Sequence, residues 1–240
     1  MIGVANLSTV RQTIASCERC SRLRRYCERI AREKRAAFRN DTYWGKPVPG
    51  FGDPNARIAI VGLAPAAHGA NRTGRNFTGD GAGGSGDFLM AALHATGLAN
   101  QPFSRSADDG LELGDAWIMA AVRCAPPANK PTPQEIAACH PHLRAEIDAL
   151  PNVRVLVALG RVAYHACWRL VAERHEARLR ADGRWPKTRP PFEHGGVTRL
   201  PGAPSIVAAY HPSRQNTNTG RLTPSMLRRA FQLAARELQT

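Results

Sequence analysis

Residues 57–62 read RIAIVG, and a polar, glycine-rich stretch, GLAPAAHGANRTGRNFTGD, follows from Gly62 to Asp80. A short apolar run that ends in such a loop is typical of a buried parallel strand that leads into a binding site. Three further runs have the same apolar character: AWIMAAVR at 116–123, VRVLVA at 153–158 and SIVAAY at 205–210. We therefore expect an α/β protein, a three-layer α/β/α sandwich with a central, mainly parallel four-stranded sheet. Its sites should follow Gly62, Arg123 and Tyr210, because ligands bind beyond the carboxyl ends of the strands.

Two helix starts are marked in the sequence between and after these runs. Thr-Pro-Gln-Glu at 132–135 is a capping box with proline at the first helical position. We expect Pro141 to kink or restart this helix. Thr223 and Pro224 mark a second start, and the apolar side chains after them fall on one face: Met226, Leu227, Ala230, Phe231 and Ala234. That face should pack on the sheet.

The length of 240 residues suits one α/β domain with a full core, and we expect a single domain over 1–240. Residues 174–204 are rich in Arg, Pro and Gly and should form an irregular insertion. No apolar run is long enough to cross a bilayer, and the amino terminus lacks a charged segment followed by an apolar one. We therefore expect a cytoplasmic protein without a membrane partner.

The charge of the chain favours a polyanionic partner. Its 33 Lys and Arg residues outnumber its 19 Asp and Glu residues by 14, and only four of the positive residues are lysine. The planar guanidinium of arginine pairs bidentately with phosphate, so nucleic acid is the partner that we expect first. An arginine-rich genome is the alternative explanation for the same count.

The six cysteines are Cys17, Cys20, Cys27, Cys124, Cys139 and Cys167. In a reducing compartment such residues are metal ligands or core residues rather than disulfide partners. Cys17-x2-Cys20 and Cys124-x14-Cys139 suggest one site of four thiolates, which suits either zinc or an iron–sulfur cluster. The alternative is a chance Cys-x2-Cys beside two ordinary buried thiols. Cys27 and Cys167 have apolar neighbours, and we expect both in the core.

The loop from Gly62 to Asp80 is the second group of residues with chemical potential. Eight glycines between Gly62 and Gly86 would let the backbone approach a ligand closely. Arg72 and Arg75 are candidates for phosphate contacts, and Phe77 offers a flat face for stacking on a base. The glycines at 79, 81 and 84 fit G-x-G-x-x-G, but the strand ends many residues earlier and no acidic residue follows at the ribose-binding distance. We therefore reject a dinucleotide site.

A third polar segment, HPSRQNTNTG, runs from His211 to Gly220 between the last predicted strand and the last helix. His211 opens it at the carboxyl end of the strand, where a site role and a structural role are equally expected. Arg214, Gln215 and Asn216 are placed to enter or grip a DNA duplex, and the hydroxyl of Ser213 to bind a phosphate. The alternative is a surface loop without such a role.

Together these segments resemble the family-five, or B-type, uracil-DNA glycosylases of bacteria and archaea, almost end to end. The likeness rests on the four cysteines and on three stretches: Gly62–Asp80, VRCAPPANKPTPQE at 122–135 and HPSRQNTNTGRLT at 211–223. It implies the uracil-DNA glycosylase fold, base excision repair without an external cofactor, and a [4Fe-4S] cluster on Cys17, Cys20, Cys124 and Cys139. The family likeness, not the spacing, selects iron over zinc. The simplest role for such a cluster is structural: it would link the amino-terminal helix to the loop of Asn129.

The resemblance also implies the roles of site residues. Hydrolysis of the N-glycosidic bond needs a carboxylate for the sugar cation and the water, a donor for the departing base and an aromatic ring for the flipped base. By resemblance these are Asp80, His211 and Phe77, and Asn129 contacts the base edge or fixes the water. The implied base-binding set comprises Gly62, Ala64, Phe77, Asn129 and His211. Without the likeness, Asp80 would be read as a solvated turn residue.

Two departures from related families refine this expectation. The position after Gly62, acidic in family-four relatives, is Leu63 here, so the carboxylate must come from Asp80. The Lys-Arg-Arg-Ile-His run of relatives that crosslink to DNA is absent, which predicts a turnover enzyme. Because B-type enzymes are known for broader substrates, we expect uracil together with bases such as hypoxanthine and ethenocytosine.

The expected partner is damaged DNA, double-stranded and single-stranded, bound by a monomer associated with the nucleoid. The competing hypothesis is a non-catalytic, zinc-stabilised nucleic-acid-binding protein, in which arginines grip phosphates and the loops recognise only shape. Asp80 beside Phe77, with His211 in the matching loop, favours the enzyme.

Overall fold

A computed structural model describes residues 6–81 and 83–239; residues 1–5, 82 and 240, which the single-domain prediction includes, lie outside the described residues. The strands are β1 (Phe51–Gly52), β2 (Ile58–Gly62), β3 (Ala116–Ala120), β4 (Val155–Leu159), β5 (Val197–Thr198) and β6 (Ser205–Ala209). They form one sheet in the order β1-β3-β2-β4-β6-β5.

The four predicted strands form the parallel centre of this sheet. β2 pairs with β3 and β4, and β4 pairs with β6, all in parallel. Every residue of β2, β3 and β4 is buried, which explains why these runs are apolar throughout. The prediction of four strands missed β1 and β5, which pair antiparallel at the two edges. A strand of two residues is too short to show a periodic pattern.

Eight α-helices lie within the described residues: α1 (Leu7–Ala15), α2 (Ser21–Glu33), α3 (Ala70–Thr73), α4 (Ser85–His94), α5 (Pro133–Asp148), α6 (Arg161–Ala181), α7 (Arg214–Asn218) and α8 (Pro224–Glu237). Two single 3-10 turns, Ala36–Phe38 and Pro127–Asn129, accompany them. Within this part of the chain no helix is both long and apolar enough to cross a bilayer.

Helices cover both faces of the sheet, so the predicted three-layer sandwich is confirmed. On one face Ile58 and Ile60 of β2 pack with apolar side chains of α4 and α8. On the other face Ala59 and Val61 pack with α5 and α6. Alternate residues of a strand point to opposite faces, so one strand serves both cores.

The predicted helix caps are confirmed. Thr132 Oγ1 accepts from Glu135 N, and the Glu135 carboxylate accepts from Thr132 N, which completes the capping box of α5. Thr223 Oγ1 accepts from the amide of Met226 at the start of α8. The predicted restart at Pro141 does not occur, because α5 runs through this residue and its buried face is continuous on both sides.

The predicted insertion at 174–204 is only partly irregular. α6 continues to Ala181, and an i,i+4 ion pair of 2.7 Å between Glu176 and Arg180 supports its last turns. The irregular part begins at Asp182 and includes β5, which extends the sheet beside β6. The arginine content that suggested a loop therefore belongs in part to an exposed helix face.

Candidate active site

A cleft with an empty volume of about 2280 Å³ opens at the carboxyl ends of β2, β3 and β6. Three loops form most of it, at residues 63–84, 126–130 and 211–215. They follow the three strand ends at which the sequence placed a site. The predicted site residues that line the cleft are Ala64, Phe77, Asp80, Asn129, His211, Ser213, Arg214 and Gln215.

Asp80 lies in a notch between two glycines. A Cβ on Gly69 would stand 1.8 Å from Asp80 Oδ1, and a Cβ on Gly84 would stand 2.6 Å from Asp80 Cβ, so neither position has room for a side chain. Burial raises the pKa of Asp80 to about 6, against the smaller opposing effects of the Gly86 amide and the Arg214 charge. The carboxylate is therefore ionised at neutral pH and remains a useful base.

Phe77 presents its ring to the cleft from a strained backbone. Its φ is +52°, in the left-handed region that side chains other than glycine rarely adopt. A Cβ on Gly62 would lie 2.8 Å from two ring atoms, so the end of β2 must be glycine for the ring to pack there. The Phe77 and His211 rings lie 5.7 Å apart at 31°. Gly62 thus supports the aromatic wall from behind.

His211 follows β6 and is half-buried at the cleft wall. Its backbone carbonyl accepts a hydrogen bond of 2.8 Å from Asn216 Nδ2, and Ser213 caps α7 through the amide of Asn216. Burial lowers the pKa of His211 to about 4, so the ring is neutral at physiological pH. Asn216, predicted to contact DNA, instead holds the backbone of His211.

The backbone before His211 is fixed by the irregular segment. The Tyr210 amide donates to His194 Nδ1 at 3.0 Å, and the two rings stack with centroids 5.0 Å apart. Arg221 lies over the Tyr210 ring at 4.7 Å. The insertion to which the sequence assigned no chemistry therefore holds the end of β6.

Asn129 reaches the cleft from a tight turn after β3. Ala128 and Asn129 both have positive φ, +53° and +56°, and the Asn129 amide donates to Pro126 O at 3.1 Å. Two consecutive strained residues of this kind are typical of functional loops, where the surrounding fold maintains the strain. The turn places the exposed Asn129 in the lining of the cleft.

Arg72 and Arg75, predicted to contact phosphate, instead bind groups within the protein, both in their own loop and in distant segments. Arg72 donates to His68 O at 2.9 Å and Gly79 O at 2.8 Å and pairs with Asp41 at 2.6 Å. Arg75 is 7% exposed and forms a buried ion pair. Its partners are Thr78, Ser104, Ala107 and Asp109. Because these contacts occupy both guanidinium groups, we no longer assign them to phosphate.

The cleft also contains residues that sequence reasoning missed: Tyr26, Arg35, Phe38, His68 and Lys130. Tyr43 bonds His68 Nδ1 at 3.0 Å and so orients its ring. Burial lowers the pKa of His68, with Arg35 and Arg72 adding to the effect. Most of these residues come from the amino-terminal segment, whose sequence shows only a cysteine motif and scattered arginines.

All four predicted metal ligands, Cys17, Cys20, Cys124 and Cys139, line a second cavity with an empty volume of about 300 Å³. Burial raises the pKa of Cys20 and, to about 11, that of Cys139. A hydrogen bond with the Cys27 thiol is the main cause of the raised pKa of Cys124. Among the described residues, no three His, Cys, Asp or Glu side chains are arranged to hold a single metal ion.

Charged and polar side chains surround these thiols. Arg123 lines the cavity, its amide donates to Cys139 Sγ at 3.3 Å, and its guanidinium pairs with buried Glu146 at 2.5 Å. His142 also lines the cavity, and burial lowers its pKa to about 4. Of the two remaining cysteines, both buried as predicted, Cys27 contacts Cys124 and its thiol donates to Ala125 O at 3.7 Å.

Comparison with known proteins gives consistent matches. Residues 49–235 match the Uracil DNA glycosylase superfamily. Over 215 residues the chain is 50% identical to a type-5 uracil-DNA glycosylase of Thermus thermophilus, covering 90% of each chain. It is 47% identical over 226 residues to the Mycobacterium leprae type-5 enzyme, covering 94% of this chain and 93% of the relative. For the Mycobacterium bovis type-5 enzyme the identity is 46% over 233 residues, covering 97% and 82%.

Proposed function

The chain belongs to the Uracil DNA glycosylase superfamily, among its type-5 members, and from this premise we propose that it excises uracil from DNA. It is a hydrolase of N-glycosidic bonds: the bond between uracil and deoxyribose breaks, water adds to the sugar carbon, and an abasic site remains. The reaction belongs to DNA repair. A pocket for an extruded base is required, because the bond cannot be reached inside the duplex.

One observation carries this function: Asp80, Phe77, Asn129 and His211 come from three separate loops and line one cleft. An ionised carboxylate, an aromatic face, an amide and a neutral imidazole are the groups that glycosidic cleavage of a pyrimidine requires. A carboxylate in the cleft repels phosphate, so it does not favour the binding of nucleic acid by itself. The arrangement therefore favours catalysis over binding alone.

We assign to Asp80 the sugar side of the reaction. When the bond to the base lengthens, the sugar gains the character of an oxocarbenium ion, and a nearby carboxylate stabilises that positive charge. The pKa of about 6 leaves the carboxylate ionised at neutral pH and able to accept a proton from the attacking water. The two neighbouring glycines, at 69 and 84, keep its position fixed.

We assign to His211 and Asn129 the base side. Uracil leaves as an anion, and a neutral imidazole N–H stabilises charge on its oxygen without carrying a charge that the buried site disfavours. The Asn129 amide contacts the edge of the base, and the Phe77 ring covers its face. Because stacking and stabilisation of a leaving anion are not confined to uracil, hypoxanthine and ethenocytosine are proposed as further substrates.

We assign the grip on DNA to Arg214 and Gln215, together with Ser213, all at the edge of the cleft. Arg214 is exposed, and its guanidinium donates to the Asp80 carbonyl at 3.2 Å, so the gripping loop touches the catalytic loop. Phosphate contacts of this kind position the backbone of the flipped nucleotide.

The four cysteines fit an iron–sulfur cluster by their chemistry and their placement around one cavity. When bound, the cluster would supply a rigid cross-link among separate chain segments. Cys17 and Cys20 lie at the junction of α1 and α2, Cys139 lies in α5, and Cys124 lies five residues before Asn129. The ligands would thus fix the turn of Asn129 against the amino-terminal helices, a positioning role.

The experiment is release of base from a labelled duplex with a single uracil, beside matched duplexes with hypoxanthine and ethenocytosine. We expect release of uracil by the wild-type protein and a loss of about 10²- to 10⁴-fold in Asp80→Asn, the range typical of general acid–base groups. DNA binding by the variant should persist. If the wild-type protein binds these duplexes and releases no base, the non-catalytic binding hypothesis replaces this one.

A further inference from the structure

His142 lies beside the four thiols with an unused buried nitrogen. It follows Cys139 by three residues on α5, so the two side chains share one helix face. His142 is 5% exposed, lines the cysteine cavity, and its Nε2 is buried without a hydrogen-bond partner. Leaving a buried polar group without a hydrogen-bond partner is energetically unfavourable. The nitrogen therefore points to an acceptor inside the cavity.

Two buried arginines line the same cavity but have anionic partners. Arg123 forms an ion pair with Glu146, although its guanidinium nitrogens make no hydrogen bond, and Arg24 pairs with Glu18 and Glu28 and donates to Gly45 O at 2.9 Å. These ion pairs hold both guanidinium groups in the cavity wall without adding net positive charge to it. The Arg123 amide already donates to the sulfur of Cys139. One backbone N–H in the cavity wall thus already donates to a cysteine sulfur.

We propose that His142 Nε2–H donates a hydrogen bond to a sulfur of the iron–sulfur cluster and thereby raises its reduction potential. This inference rests on the cluster proposed above. A hydrogen bond to sulfur stabilises the more negative, reduced form of a cluster more than the oxidised form. We assign the ring proton to Nε2 because this is the buried nitrogen that lacks a partner within the protein. The residue acts on the cluster through an N–H donor and is not a ligand.

The test compares three variants of the full-length protein by iron and sulfide content and by the midpoint potential in electrochemical titration. His142→Leu removes the donor at similar volume, and His142→Gln keeps an N–H donor. His140→Leu is the matched control, because His140 is also buried on α5 but pairs with Glu173 at 2.9 Å. We expect a more negative midpoint and faster iron loss to a chelator in His142→Leu, partial recovery in His142→Gln, and wild-type values in His140→Leu.

The outcomes separate this inference from the cluster itself. Wild-type protein without iron and sulfide would refute both. Iron present, with the same midpoint in His142→Leu as in His140→Leu, would overturn the role of His142 alone. Loss of iron from both His142 variants, with thermal unfolding unchanged, would make His142 a ligand and overturn the hydrogen-bond assignment.

Discussion

The loops after β2 and β6 both contain arginine, but they use it differently. In the first loop Arg75 is buried against Asp109, and Arg72 joins two carbonyls of its own loop. In the second loop Arg214 is exposed at the cleft. The same residue type therefore stiffens one loop and faces the substrate in the other. Arg72 and Arg75 each form an ion pair with an aspartate, whereas the guanidinium of Arg214 donates to a backbone carbonyl.

Arg75→Ala tests whether Arg75 stabilises the first loop through its ion pair, and it should have the largest effect of these variants. Removal of one partner from a buried ion pair leaves the Asp109 carboxylate uncompensated, which costs about 3–5 kcal/mol. Urea unfolding should show this loss in the free energy of unfolding. A loss below about 0.5 kcal/mol, as for an ordinary surface residue, would mean that Arg75 is free for DNA after all.

Gly69→Ala tests whether the first loop holds Asp80 as tightly as its geometry indicates. The new methyl group would stand 1.8 Å from Asp80 Oδ1, so the carboxylate must move. A shift of about 1 Å in a catalytic group lowers kcat about 10²-fold. Gly114→Ala is the control, since a Cβ there meets nothing within 4 Å. Equal uracil release by both variants would show that Asp80 tolerates displacement.

The pH profile distinguishes the two loops by their titrating groups. Burial disfavours charge in both, so it raises the pKa of Asp80 to about 6 and lowers that of His211 to about 4. Because the role proposed for Asp80 requires the ionised carboxylate, kcat/KM should fall about tenfold per pH unit below pH 6 and level off above it. The His211 ring signals in NMR should not titrate between pH 5.5 and pH 8. Titration of His211 near its usual value would contradict the neutral donor.

Arg214→Ala tests the proposed contact of the second loop with DNA, and among these variants it should have the smallest effect. An exposed phosphate contact contributes little to folding, so the free energy of unfolding should stay within about 0.5 kcal/mol of wild type. The affinity for uracil-containing duplex should fall, and the slope of log affinity against log salt should flatten by about 0.9, the value for one phosphate. An unchanged salt slope would remove Arg214 from the DNA interface.

The sequence predicts those parts of the structure that depend on neighbouring residues. The four central strands and the caps at Thr132 and Thr223 are local patterns of this kind. The edge strands β1 and β5 depend on pairing with distant segments, so two residues alone do not reveal them. The partners of Arg72 and Arg75 lie 31 and 34 residues away in irregular segments. No local pattern distinguishes such an arginine from one that binds DNA.

The site follows the same division. Asp80, Phe77 and His211 stand in loops directly after predicted strands, where a parallel sheet brings loops together. Tyr26 and Phe38 reach the cleft because segments far apart in sequence meet there, and the position of His142 beside the cysteines is visible only in the folded chain. Burial lowers the pKa of both His68 and His142, an effect that the residue type alone does not predict.

The buried carboxylate of Asp80 has a consequence for protein engineering. Its pKa is about 6 in the folded chain and 3.8 in the unfolded reference, so ionisation favours unfolding as pH rises through this interval. Above pH 6 the resulting loss in the free energy of unfolding is up to about 3 kcal/mol, because each pKa unit corresponds to about 1.4 kcal/mol. A library sorted for heat resistance alone would therefore enrich neutral replacements at position 80. At position 80, selection for thermal stability would therefore select against the proposed catalytic carboxylate.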